Sequence, residues 1–254
     1  MKPLLLSKNA YDLQSSPKLF LTAAVLVFLY PCIKRNHFGY NSQPVVGSLL
    51  LNASYYMDWY EEEVQQLIEK REHMPYLPQA VFYGSSTIRL WENLTEDFKY
   101  YLPVNLGFGG STLEACVYYF DWLVKPVKTA NKIVIYAGDN DLGDGRSPDE
   151  VLIFFRQLKS LVADNFPAIP CYYISIKPSI SRWNINENIK LANQLIQNEI
   201  ETPGNQFSFV NIYDSMLAKD GHPDASFYDE DGLHLSPKGY EVWKEVLLAQ
   251  VFEK

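Results

Sequence analysis

Cysteine is scarce in this chain. Cys32, Cys116 and Cys171 are the only three, and no two of them form a C-x-x-C pair, so neither a zinc knuckle nor a disulfide framework is indicated. Cys116 and Cys171 read as small buried apolar residues. An excess of basic residues is also missing. Lys+Arg number 22 against 30 Asp+Glu, a formal charge of -8, whereas a polyanion-binding face releases counterions from clustered Lys and Arg. Nucleic acid is excluded as a partner on that ground. Phosphate fingerprints are absent as well: no Gly-x-x-x-x-Gly-Lys occurs, and the third glycine of a G-x-G-x-x-G starting at Gly107 would fall on Thr112. Histidine is limited to four positions, which narrows the search for a general base. No internal repeat or low-complexity segment is visible.

What is present suits one sizeable core: 254 residues, 47% hydrophobic and 15% aromatic. Residues 1–18 are polar with Lys2, Lys8 and Lys18, and residues 19–33 form a nearly unbroken apolar run closed by Lys34 and Arg35. The run is shorter than the roughly 20 residues of a straight membrane-spanning helix. No small-x-small cleavage site follows it, because Tyr30-Pro31-Cys32 stands in that place. The expectation is an uncleaved signal anchor that tethers the chain to a membrane, with the following domain on the extracytoplasmic side. The alternative is a short apolar helix on a soluble cytoplasmic protein. Residues 34–75 read as a linker followed by an amphipathic helix over about 57–72, with Trp59, Val64, Leu67 and Ile68 on one side and Glu61, Glu62, Glu63 and Lys70 on the other. The domain proper is expected over 76–254, after the break at Pro75 and Pro78.

Five strand candidates then alternate with helices: 80–83, 103–105, 132–137, 170–176 and 207–212. The third and fourth are near-continuous apolar runs, as suits strands covered on both faces. Ser111 with Glu114 and Ser147 with Glu150 have capping-box spacing, and Ser236 with Pro237 opens the last helix. Alternation with right-handed crossovers predicts a parallel sheet between helix layers, with the loops after the strands gathered at one edge.

Four of the connecting stretches carry chemistry. Gly84-Ser85-Ser86-Thr87 ends the first strand in three hydroxyls, any of which could be a nucleophile or a helix cap. Asn105-Leu106-Gly107-Phe108-Gly109-Gly110 opens a helix and exposes backbone N–H groups that favour an anion or a developing oxyanion. Gly138-Asp139-Asn140-Asp141 invites a calcium reading, but the glycine required at the sixth place is Asp144. In the rival reading, Asn140 donates its side-chain amide to an oxyanion. In Asp231-Gly232-Leu233-His234, a carboxylate three residues before a histidine can hold the tautomer whose other nitrogen takes a proton from serine. Of the other histidines, His37 and His73 precede the domain and His222 sits beside Pro223 in a polar loop.

Together and in this order, the four blocks resemble those of the SGNH hydrolase superfamily, also called GDSL-like lipases and esterases, across about 80–250. The resemblance implies a three-layer α/β/α sandwich with a five-stranded parallel, flavodoxin-like sheet and a serine esterase needing no metal or organic cofactor. It implies Ser86 as nucleophile, His234 as general base and acid, and Asp231 as its orienting partner. It also implies an oxyanion hole of Ser86 N–H, Gly110 N–H and the Asn140 side chain. The family's usual aspartate before the nucleophile is Ser85 here, a departure from the lipase subset. Arg182 and Trp183, after the fourth strand, are expected to overhang the same edge and touch substrate. An ester of a lipid, glycan or small molecule is the expected substrate. An acyltransferase using the same triad and a membrane-tethered binding module with a vestigial triad are the rivals.

Overall fold

The computed structural model describes residues 57–253. The chain divides into Met1–Trp59, of which only the last three residues are described, and a compact unit Tyr60–Lys254. The unit begins with helix α1 (Glu61–Glu72), then strand β1 (Ala80–Gly84), the short helices α2 (Ser86–Arg89) and α3 (Leu94–Asp97), and strand β2 (Pro103–Gly107). Helix α4 (Leu113–Leu123), strand β3 (Lys132–Tyr136), the short helix α5 (Asp139–Gly143) and the long helix α6 (Pro148–Asn165) follow. Strand β4 (Cys171–Ile174), helix α7 (Asn186–Ile200), strand β5 (Phe207–Val210) and helix α8 (Pro237–Leu247) complete the order.

All five strands are parallel, in the order β2-β1-β3-β4-β5. Every expected strand is present, β2 running two residues further than the apolar pattern suggests and β4 and β5 stopping earlier. Side chains alternate between two layers. Phe82, Val134, Tyr136, Ile174 and Val210 join Trp91, Phe98, Trp243, Leu247 and Phe252 in one cluster beneath α2, α3 and α8. On the opposite face the Tyr83 hydroxyl donates to Cys116 O of α4, and Phe155 of α6 packs edge-on to Tyr173 at 5.0 Å. Both Cys116 and Cys171 are buried free thiols, as their apolar reading anticipates.

The capping signals mostly act as their sequence suggests. Ser147 and Glu150 form a complete capping box with Pro148 in the first turn, and the Ser236 hydroxyl accepts from Gly239 N–H. The box expected at Ser111 and Glu114 does not form. Thr112 caps α4 instead, accepting from Ala115 N–H at 3.1 Å, because the Glu114 carboxylate is drawn to the Arg146 guanidinium. A charge-assisted pair outcompetes a neutral backbone donor.

One expectation is corrected. Among the described residues no helix is long and apolar enough to cross a membrane. Even the longest, α6, carries Asp149, Glu150, Arg156 and Lys159 on its outer side. The 19–33 run on which the anchor, and with it the extracytoplasmic localisation, rested lies outside the described residues. The fold therefore gives membrane tethering no support.

The sheet order reverses direction between β1 and β3, since the chain steps from β1 to one edge and then returns to build the other. At such a switch point the loops leave the strand ends on opposite sides and open a crevice. Gly84 stands level with Gly107 on β2 and with Tyr136 on β3, so three of the four motif loops start at the same height. Gly84 has φ 137, and a Cβ there would lie 1.8 Å from the Tyr136 carbonyl oxygen. Neither the backbone region nor the space admits a side chain. Gly84→Ala is expected to destabilise the fold by more than about 4 kcal/mol, read as a lowered urea midpoint. A midpoint shift equivalent to under about 1 kcal/mol would contradict that geometry.

Candidate active site

The first strand delivers three hydroxyls in succession, and the structure separates them. Ser85 and Thr87 are buried, and the Ser85 Oγ has no hydrogen-bond partner among the described residues. Ser86 is half-buried and opens α2, and its Oγ lies 3.0 Å from His234 Nε2. As the first residue of a helix, Ser86 also presents an N–H with no intrahelical acceptor.

His234 comes from the far end of the chain, 148 residues after Ser86. Its loop is closed by a bridge between Tyr228 and Leu235 and by the Asp229 N–H donating to His234 O. Its Nδ1 is 2.5 Å from Asp231 Oδ2. The other Asp231 oxygen accepts from the N–H groups of Leu233 and His234 at 2.8 and 2.9 Å. Burial would raise the Asp231 carboxyl, but these two N–H groups and the imidazole outweigh it and lower its pKa to about 2. Asp231 is thus ionised at neutral pH and holds the Nδ1–H tautomer, which leaves Nε2 as an acceptor toward Ser86.

The glycine loop and the loop after β3 leave the two strands that flank β1, level with Gly84. Gly110 has φ 66, and a Cβ there would meet nothing within 4 Å, so the loop is open on that side. The Asn140 amide is fixed at both ends: its Nδ2 donates to Ser111 O at 3.0 Å and its Oδ1 accepts from Arg182 Nη2 at 2.9 Å. The arginine makes amide reversal unfavourable, because a flipped NH₂ would face the guanidinium. One N–H of Nδ2 is used by Ser111, and the second has no hydrogen-bond acceptor among the described residues. Asp141 Oδ2 accepts from Leu113 N–H and its Oδ1 from Arg146, so this buried carboxylate ties α5 to the start of α4.

A charged cluster lies behind Asn140. Asp139 Oδ2 is 3.3 Å from Lys177 Nζ and 3.1 Å from Arg182 Nη1. Burial alone would raise the Asp139 carboxyl, yet the two cations hold it below its ordinary value. Lys177 is 1% exposed; burial pulls its ammonium down while Asp139 and the more distant Asp231 counteract that. The carboxylates that invited a calcium reading are therefore engaged by Arg146, Lys177 and Arg182.

Of the two residues expected to touch substrate, Arg182 directs its guanidinium to Asp139 and Asn140, and Trp183 packs against His222 with ring centroids 5.0 Å apart. Their loop is held against the Asp231–His234 loop, where Ser181 N–H donates to Gly232 O at 3.1 Å. The buried Lys177–Asp139–Arg182 cluster has no sequence signature, because its members come from two loops about 40 residues apart.

Comparison with known proteins bears on family and fold. The model of the GDSL-like lipase/acylhydrolase family matches residues 80–242. No curated relative matches the sequence. Among solved structures, a Streptococcus pneumonia protein provisionally described as a platelet activating factor is 22% identical, with a TM-score of 0.69 over 81% of this chain and 99% of its own. A GDSL-like lipase from Bacteroides thetaiotaomicron is 21% identical, with a TM-score of 0.60 over 78% of this chain and 97% of its own. A carbohydrate esterase of family 3 from Talaromyces cellulolyticus is 15% identical, with a TM-score of 0.56 over 69% of this chain and 98% of its own. At these identities the structural likeness establishes the fold, while the family match spans more than half of the sequence and all four motif loops. This chain is thus a hydrolase that belongs to the GDSL-like lipase/acylhydrolase family.

Proposed function

We propose that the protein is a serine esterase that cleaves a carboxylic ester through Ser86, His234 and Asp231. The observation that carries this reading is the position of one imidazole, 3.0 Å from Ser86 Oγ through Nε2 and 2.5 Å from Asp231 through Nδ1. In the first step Ser86 Oγ bonds to the ester carbonyl carbon as its proton passes to His234 Nε2. The imidazolium is stabilised by ionised Asp231. Negative charge gathers on the former carbonyl oxygen, where Ser86 N–H, Gly110 N–H and the second Asn140 Nδ2–H can donate. Collapse breaks the ester C–O bond, and His234 gives its proton to the departing alkoxide. Water then attacks the acyl-serine, losing a proton to His234, and the free acid leaves with Ser86 Oγ reprotonated.

The acyl group is proposed to be a short one, such as an acetyl group on a glycan or other small alcohol. The carbohydrate esterase among the structural neighbours supports a glycan ester, and the lipase in the family's description makes a lipid ester the contrasting arm. The test has two readouts. Stoichiometric treatment with an organophosphonate ester should label one residue, located by peptide mass spectrometry at Ser86; label on Ser85, or no label on folded protein, would sink the triad. Hydrolysis of p-nitrophenyl acetate should exceed that of the dodecanoate ester by at least about tenfold in kcat/KM. The reverse order would assign a lipid ester instead.

A further inference from the structure

Helix α1 precedes the 80–242 stretch matched by the family, yet two side chains from its end of the chain hold the glycine loop. Glu63 Oε2 accepts from Gly109 N–H at 2.7 Å, and the Tyr60 hydroxyl donates to Gly110 O at 3.1 Å. The other Glu63 oxygen lies 3.4 Å from Arg89 Nε, on the short helix that begins with Ser86. Tyr60 is seated edge-on against Phe108 at 5.3 Å, immediately before the two glycines.

These contacts bracket one peptide unit. Gly109 N–H belongs to the unit before it and Gly110 C=O to the unit after it, and the unit between them carries Gly110 N–H. Two adjacent glycines are the least restrained backbone a chain can offer. Gly110, at φ 66 and with nothing within 4 Å of a would-be Cβ, receives no restraint from a side chain of its own. Anchoring both flanking units fixes the direction of the N–H between them. We infer that Glu63 and Tyr60 are positioning residues that aim the Gly110 N–H at the oxyanion, making α1 a working part of the active site. The inference rests on the esterase reading, in which Gly110 N–H is an oxyanion donor.

The chemistry of both groups suits the task. Burial first, then the nearby carboxylates of Asp144 and Asp141, push the Tyr60 phenol up to about 12, so it remains a donor throughout any practical assay. The Glu63 carboxylate is balanced by Arg89 and so opposes a neighbouring oxyanion less than an unpaired charge would.

The test compares Glu63→Ala, Glu63→Gln, Tyr60→Phe and, as a control on the exposed side of the same helix, Glu62→Ala, all in the full chain. Two quantities are read: kcat and KM on p-nitrophenyl acetate, and backbone amide exchange at Gly109 and Gly110. Glu63→Ala should lower kcat by about 10- to 100-fold, the range for a misplaced oxyanion donor, with KM within about twofold. Exchange at the two glycines should quicken. Glu63→Gln keeps an acceptor oxygen for Gly109 N–H and should recover kcat to within about threefold of the parent. If Glu63→Ala matches Glu62→Ala in both readouts, the positioning role is overturned. Equal loss in Glu63→Ala and Glu63→Gln would also overturn it, since the charge on Arg89 would then be what matters. Should Glu63→Ala not fold, Tyr60→Phe carries the test through the same two readouts. A parent protein inert toward every ester, unlabelled at Ser86, would defeat the esterase reading separately; unchanged glycine exchange in Glu63→Ala would defeat the positioning role by itself.

Discussion

Ser86→Ala is expected to lower kcat/KM on p-nitrophenyl acetate by about 10⁵-fold, leaving only the residual rate that binding and an oxyanion site supply. The size follows from what is removed: the hydroxyl 3.0 Å from His234 Nε2, without which the proposed acyl-enzyme cannot form. Ser85→Ala is the informative companion. Its Oγ is fully buried and unpartnered among the described residues. Deleting an unsatisfied buried hydroxyl is close to neutral for stability or slightly favourable, and activity should stay within about threefold of the parent. The pair of variants therefore distinguishes a nucleophile from a general disturbance of the turn. Equal loss in both would show that the 3.0 Å approach of His234 to Ser86 is not the reactive one.

Asp231→Asn should cost about 10⁴-fold in kcat, with little change in KM, although it alters one atom. The Asn oxygen can still accept from Leu233 and His234 N–H, so the loop keeps its shape. Its NH₂, however, faces Nδ1 and favours the tautomer with the proton on Nε2, which then cannot accept from Ser86. A loss under about 30-fold would show that the aspartate serves the loop more than the imidazole. The same carboxylate has a signature in acid. Its folded pKa of about 2 lies below the ordinary value near 3.9, so the folded state binds this proton less readily than the unfolded chain. The resulting stabilisation is complete above about pH 5 and fades as pH falls through about 2. Urea midpoints of the parent and of Asp231→Asn should accordingly converge between pH 5 and pH 2.5.

Much of this arrangement is readable from the chain alone, for physical reasons that differ by element. The apolar runs of β3 and β4 mark strands covered on both faces, and the Ser147–Glu150 box fixes the start of α6. The Asp231 and His234 contact is local, three residues apart, so spacing alone conveys it. Among three adjacent hydroxyls, by contrast, spacing is silent; burial of Ser85 and Thr87 favours Ser86, and burial is a property of the assembled fold. Arg182 reads as a substrate contact because its loop overhangs the site, but the buried Asp139 carboxylate draws the guanidinium inward. Glu63 reads as one of three solvent-facing glutamates, and its bond to Gly109 spans 46 residues that no local pattern connects. The apolar run at 19–33 suggests a tether, but it lies outside the described residues, and no described helix is long and apolar enough to cross a membrane.

The 148-residue separation of Ser86 from His234 also sets a clock on the ribosome. The serine turn and its strand are synthesised early, but the imidazole proposed to activate the hydroxyl follows only after β3, β4 and β5. At about 5–20 residues per second, roughly 7 to 30 seconds pass between the two. Throughout that interval the nascent chain carries Ser86 without His234, so under the proposed mechanism hydrolytic competence cannot precede synthesis of the last loop.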